Sequence, residues 1–227
     1  HLCDRRQRQM CIRDSKKKNI CGDVLQKAMT YAMAVLEVNA SMGLIVAAPT
    51  AGSAGVVPGM MLALQECYRI SDQRIVDALF NAGAVGYLAM RNATVAGAVG
   101  GCQAEVGVAS AMAASAAVEL MGGTPQQCLD AASTVLMNML GLVCDPVAGL
   151  VEVPCVKRNV IGAVNAISAA DMALAGIESR IPVDEVIDAM GEVGRRMPVE
   201  FRETALGGLA ATPTGKAVKE RMPHGAQ

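Results

Sequence analysis

Helix-forming patterns dominate the chain. Residues 23–41, DVLQKAMTYAMAVLEVNAS, hold strong helix formers and neither Gly nor Pro, so they predict a helix ended by Gly43. A loop is expected around 47–59, and then a helix over 58–69 with Pro58 near its first turn. Residues 72–90 predict one or two more helices, with Asp72 as a cap. Beyond Cys102, QAEVGVASAMAASAAVELM is Ala-rich and stops at Gly122-Gly123. Thr124-Pro125-Gln126-Gln127 joins an N-cap, a proline at N1 and a glutamine at N3, and starts a helix reaching about Leu140. Residues 144–154 are too rich in Pro and Gly to be helical, whereas a helix is expected from near Cys155 to about Ala175, with Gly176 as its stop. Over 183–196, Val183, Val186, Ile187, Met190 and Val193 share one face. Alternation is nearly absent, and only 44–46 and 151–153 are strand candidates. The expected fold class is therefore all-α, a compact Ala/Gly-rich helical domain whose Gly/Pro-rich loops carry any site. No repeat and no dividing linker is apparent.

Composition sharpens this. Apolar residues make up 52% of the 227, yet aromatics are only 2% and Trp is missing, so Ala, Val, Leu, Ile and Met must build the core. Small residues and 23 glycines suggest helices packed backbone near backbone. A net charge of −1 gives no indication of a nucleic-acid partner. The basic run Arg5, Arg6, Arg8, Arg13 and 16–18 reads as a solvated tail. No charge falls between Glu37 and Glu66, but Gly43, Pro49, Gly52, Gly55, Pro58 and Gly59 interrupt that stretch, and a membrane span needs an unbroken helix. The start is charged and has no apolar signal region, so reduced thiols in a soluble cytoplasmic protein are expected. The two histidines, His1 and His224, lie at the ends, which argues against Ser-His-Asp or Cys-His chemistry.

Candidate chemistry gathers at three of the eight cysteines. Cys102 sits in VGGCQAEVG, and Cys144 and Cys155 bracket CDPVAGLVEVPC. All three lie at expected loop–helix junctions, where backbone amides and helix N-termini stabilise thiolates. Cys3, Cys11, Cys21, Cys67 and Cys128 read as structural or incidental. Three thiolates can hold zinc or an iron–sulfur cluster. No C-x-x-C pair occurs, and the spacing alone selects neither metal over a buried-core role. APTAGSAG, with Thr50, Ala51, Gly52 and Ser53 at its centre, offers hydroxyls and amides for a carboxylate or phosphate, or is simply a turn. Lys157, Arg158 and Asn159 fall just inside a helix start, where cations are unfavourable; they are either a solvated turn or face an anion beside the cysteines. Glu105, Asp145 and Glu152 are acceptors behind the cysteines, proton carriers or surface groups.

Taken in order, AVLEVNASMG, APTAGSAGVVPG, GGCQAEVG, GLVCDPVAGLVEVPCVKRN, GAVNAI and ETALGGLA resemble the α subunit, or α domain, of iron–sulfur-dependent L-serine dehydratases, from about residue 21 to 208. The resemblance implies a helical catalytic domain, a [4Fe–4S] cluster on Cys102, Cys144 and Cys155, and conversion of L-serine to pyruvate and ammonia. With three cysteines on four irons, one iron would be left as a Lewis acid for the departing hydroxide. The APTAGSAG loop would face substrate, so Thr50, Ala51, Gly52, Ser53, Arg158 and Asn159 are the substrate-binding candidates. Lys157 is the nearest candidate for the base, with a base on another chain as the alternative. A β subunit is the implied partner; nucleic acid and membrane are not. Residues 1–20 do not look like the family and form a leader, 21–212 the helical domain, and 213–227 an irregular tail. Competing readings are a related cluster-dependent lyase, such as an L-cysteine desulfidase, and a non-catalytic helical protein with buried structural cysteines.

Overall fold

The structure, a computed structural model, describes residues 9–11 and 19–222. Most of the leader, its basic run, Cys3, both histidines and the last five residues lie outside the described residues. The helices are α1 (Gly22–Ala40), α2 (Val56–Tyr68), α3 (Asp72–Asn92), the single turn α4 (Gly97–Gly100), α5 (Val108–Leu120), α6 (Pro125–Met139), α7 (Cys155–Leu174), α8 (Val183–Arg196) and α9 (Pro213–Glu220). Among the described residues there is no strand, and the fold is all-α as expected. One isolated parallel bridge joins Cys144 to Arg202.

Helix α5 is the hub. Every residue of it except the half-buried Glu119 is buried, and α2, α3, α6 and α7 pack around it. A helix touched on all sides has no face to give to solvated groups, so the segment is mostly Ala and Val, and its two buried serines are hydrogen-bonded: Ser110 to Val106 O and Ser115 to Asn81 Oδ1. Helix α1 lies across α2 and α7. The small residues let these helices meet closely. A Cβ at Gly59 of α2 would stand 2.8 Å from both the nitrogen and the Cβ of Ala32 on α1. A Cβ at Gly162 of α7 would reach within 2.6 Å of Ser110 Oγ on α5.

Local signals act as expected at several ends. Thr124 accepts the Gln127 N–H at 3.3 Å while Gln127 Oε1 accepts the Thr124 N–H at 2.9 Å, a complete capping box at the start of α6. Helix α8 buries Val183, Val186, Ile187 and Met190 and half-buries Val193. Asp184 and Glu185 in its first turn and Arg195 and Arg196 in its last complement the helix dipole.

Four expectations are corrected. Residues 44–46 are irregular and 151–153 form a turn, because neither run meets a second strand to pair with. Residues 72–90 belong to one helix, within the expected one or two, but its cap position is Ser71 and not Asp72, which is the first helical residue and accepts from Gln65 Nε2 at 2.7 Å. Helix α1 is closed by Met42, which takes the left-handed φ of 61°, while Gly43 donates back to Val38 O at 2.9 Å. The segment from 213, expected to be irregular, contains α9, whose start repeats the logic of α6: Thr212 Oγ1 accepts the Gly215 N–H at 3.1 Å and Pro213 follows. No helix among the described residues is long and apolar enough to cross a membrane.

Candidate functional site

Cys102 stands where α4 gives way to α5. Gly101, at φ 74°, turns the chain, and residues Gln103–Gly107 form a π-helical turn before α5 proper. Such turns recur at functional sites because the extra residue redirects side chains. Gln103 staples the region together: its N–H donates to Leu142 O at 2.9 Å, its Oε1 accepts from Gly141 N at 2.9 Å, and its Nε2 donates to Met190 O at 3.1 Å. This draws the end of α6, and hence Cys144, against Cys102. Cys144 is held from its other side by 201–203: its N–H donates to Phe201 O and its carbonyl accepts from Glu203 N, both at 2.8 Å. Cys155 opens α7. All three cysteines are buried.

The ligand atoms of Cys102, Glu105 and Cys144 lie within 4.8 Å of one another. Cys155 is not in that group, although its thiol feels the charges of Cys102 and Glu105. The Cys102 and Cys144 thiols lie close enough to act on each other: their interaction lowers the Cys102 pKa, and together with burial it raises that of Cys144. Burial pushes the Cys155 thiol up to about 12. Burial also raises the Glu105 carboxyl, opposed by its bond from Thr50 and reinforced by the charge of Glu203. Cys128 is buried elsewhere against Asn81, Cys67 is half-buried, and Cys21 and Cys11 are exposed.

The 47–55 loop reaches this group directly. Thr50 caps the short 3₁₀ turn Ala51–Ser53 and donates its hydroxyl proton to Glu105 Oε1. The Thr50 and Ser53 hydroxyl oxygens are 3.0 Å apart. Gly52 has no room for a side chain, since a Cβ there would stand 2.6 Å from Glu105 Oε1. Asn159 holds the loop from behind. It is fully buried, accepts from Gly55 N at 3.0 Å, and donates to Gly52 O at 2.7 Å and to Cys155 O at 3.0 Å.

The Lys157–Arg158–Asn159 triplet therefore divides. Asn159 points into the protein. Arg158 is partly buried: Nη1 donates to Cys102 Sγ at 3.5 Å and to Val143 O at 2.8 Å, and Nη2 pairs with Asp145 Oδ1 at 2.9 Å. Burial works against its charge, but Cys102 and Asp145 outweigh that and raise its pKa. Lys157 is exposed, and none of the ion pairs among the described residues joins it to the cysteine group.

Sequence reasoning assigned no role to Glu203. It lies in ETALGGLA at φ 64°. A Cβ at Gly97 would come within 3.0 Å of Glu105 Oε2, 3.2 Å of Glu203 Oε2 and 3.3 Å of Cys144 Sγ. The two carboxylates and the sulfur thus converge on the gap that the glycine leaves. Nothing local in the sequence signals this, because Glu203 arrives from about a hundred residues away. The assembly has soft sulfur donors for a metal, one cation beside them, carboxylates able to take a proton, and a polar loop facing all of these.

Comparison with known proteins places the chain in a family. The family described as serine dehydratase alpha chain matches residues 3–210, so the match also takes in residues 3–20, which the sequence reading set apart as a leader. The "Probable L-serine dehydratase, alpha chain" of Bacillus subtilis (strain 168) is 58% identical over 209 residues, spanning 92% of this chain and 70% of the relative. The protein of the same description from Latilactobacillus sakei is 58% identical over 200 residues, 88% of this chain and 96% of the relative. An "L-serine dehydratase" of Helicobacter pylori (strain ATCC 700392 / 26695) is 46% identical over 185 residues, which is 80% of this chain and 41% of that longer protein.

Proposed function

The chain belongs to the serine dehydratase alpha-chain family, and on that premise we propose that it is the α subunit of an L-serine ammonia-lyase that makes pyruvate and ammonia from L-serine with a separate β chain. The carrying observation is the buried Cys102–Cys144 pair, with Glu105 within 4.8 Å and Cys155 opening the adjacent helix. This donor set fits an iron–sulfur cluster. Thiolates are the ligands such clusters take, they come here from three separate junctions, and Arg158 offsets their charge. Held by Cys102, Cys144 and Cys155, a [4Fe–4S] cluster would supply a Lewis-acidic iron for the departing hydroxyl group.

The remaining work falls to the chain's own residues. While Glu105 is ionised, the Thr50 proton is committed to it, so Thr50 faces the site as an acceptor suited to the substrate's ammonium group. The first amides of the Ala51–Ser53 turn, at Ala51 and Gly52, are then the donors for the substrate carboxylate. Loss of the α-proton and of the hydroxyl group leaves aminoacrylate, and water hydrolyses this to pyruvate and ammonia. Lys157 is exposed, whereas the Glu105 carboxylate faces the gap beside the sulfurs, so we assign the proton-taking role to Glu105. The longer relatives support a partner of this kind, because the matched region is under half of the Helicobacter pylori protein.

The test is anaerobic reconstitution with iron and sulfide in the presence of the β chain. Pyruvate should form from L-serine in preference to L-cysteine. Serine substitution of Cys102, Cys144 or Cys155 should abolish the visible iron–sulfur absorbance, and substitution of Cys67 or Cys128 should leave it intact. Absorbance that survives in the first three variants overturns the ligand set. Pyruvate from cysteine alone overturns the substrate.

A further inference from the structure

We infer that Arg158 is a positioning residue for the cysteine ligands, not a binder of substrate: its guanidinium ties the Cys102 sulfur to Asp145 and, through Asp145, to the turn at 207–210. The inference rests on the cysteine-ligand reading above.

The arginine's fork is already engaged. Nη1 serves Cys102 Sγ at 3.5 Å and Val143 O at 2.8 Å, while Nη2 lies 2.9 Å from Asp145 Oδ1. End-on, two-pronged capture of a substrate carboxylate through Nη1 and Nη2 would compete with these contacts: both Nη1 hydrogens already serve Cys102 and Val143, and Nη2 is ion-paired with Asp145. The side chain is only 16% exposed, and its partner Asp145 is 4% exposed, so each charge depends on the other for its pairing.

Asp145 passes the link on. Its Oδ2 accepts the Leu209 N–H at 2.7 Å. Gly208 lies against that carboxylate: it has φ 57°, and a Cβ there would be 2.3 Å from Asp145 Oδ2, so the turn fits only as glycine. Cys144 adjoins Asp145 in sequence and is bonded through its own backbone to Phe201 and Glu203. One side-chain pair therefore holds together the Cys102 turn, the Cys144 loop and the 201–210 segment that brings in Glu203. Bonds to the sulfur of a metal ligand are the kind of support whose loss typically costs about 10–100-fold in metal affinity.

The experiment uses the enzyme reconstituted anaerobically with iron, sulfide and the β chain, comparing the native chain with Arg158→Gln, Arg158→Lys and Asp145→Asn. Iron loss to a chelator is followed by absorbance, and KM for L-serine is measured on the iron-loaded fraction. Arg158→Gln should lose iron about 10–100-fold faster, by the scale for such supporting bonds, with KM within about twofold of the native value. Arg158→Lys should fall between, because a single ammonium cannot span Cys102 and Asp145 together. Native iron retention with a KM raised tenfold or more would assign Arg158 to substrate and overturn the inference. Amide exchange at 207–210 in the iron-free chain gives an independent reading. It should quicken in Arg158→Gln and Asp145→Asn, and unchanged exchange would sink the strap. A native chain that takes up no iron would instead overturn the proposed function, and the exchange measurement would still decide this point.

Discussion

Replacing Asn159 with alanine should cost more than its small volume suggests. The side chain is fully buried and makes three bonds, to Gly55 N, Gly52 O and Cys155 O. Cys155 O lies at the start of α7 and can be satisfied by the helix ladder, so truncation strands two groups, one N–H and one C=O. Leaving a buried polar group unpaired costs about 1–3 kcal/mol, so the pair gives about 2–6 kcal/mol. That is a large share of the 5–15 kcal/mol typical of a folded domain. Asn159→Asp tests the same account at constant shape: it keeps the acceptor for Gly55 but turns a carboxylate oxygen toward two carbonyls. It should also destabilise the chain, and more so above the carboxylate's pKa than below it. Urea unfolding of the iron-free chain measures both variants, and amide exchange over 50–55 shows whether the loop is the part released. A loss below about 1 kcal/mol for Asn159→Ala would refute the reasoning, because it would mean that water or backbone movement satisfies both groups.

Two further outcomes follow. Thr124→Ala removes the capping box of α6 far from the cysteines, so it should cost about 1 kcal/mol and lower Tm by about 2–4 °C for a chain of this size, with iron uptake unchanged; a silent melt would refute the cap's contribution. Burial raises the Glu105 pKa, so the folded chain holds that proton to a higher pH than the unfolded chain does, and the resulting stability is present below the unfolded value of about 4.3 and lost as pH rises through the folded one. Glu105→Gln abolishes this titration: the variant's stability relative to the native iron-free chain should increase from pH ~4 to pH ~7, and pyruvate formation should be lost, while a stability gap independent of pH would refute the burial account.

The parts of this structure that were legible in the sequence are those whose cause is local. The stripe over 183–196 and the box at 124–127 each act within a turn or two, and both appear as expected. The end of α1 shows the limit, because Gly43 is present but Met42 takes the left-handed position. The triplet 157–159 shows it more sharply. Successive helical residues point about 100° apart, so three neighbours in sequence face three environments: Lys157 solvent, Arg158 the sulfur and Asp145, Asn159 the interior. Composition alone treats them as one polar patch. The π turn at Gln103–Gly107 was also hidden, since its residues suit an α-helix equally well and the difference arises from what Gln103 must reach.

The core and the site are one design problem. Cys102, Cys144 and Cys155 are too far apart in sequence for any local motif to gather them, so only the packed helices can do it. Cys102 enters through the turn that leads into α5, and Cys155 opens α7, which packs on α5. A larger residue at Gly162 would press α7 away from α5, because its Cβ would stand 2.6 Å from Ser110 Oγ and 3.1 Å from both Val106 Cγ1 and Val56 Cγ2. The opening of α7 would move with it, and Cys155 already lies outside the 4.8 Å group formed by the other two cysteines and Glu105. Small residues in the core thus do more than fill space. They set how closely α5 and α7 approach, and so they set where the helix ends that carry Cys102 and Cys155 lie relative to each other.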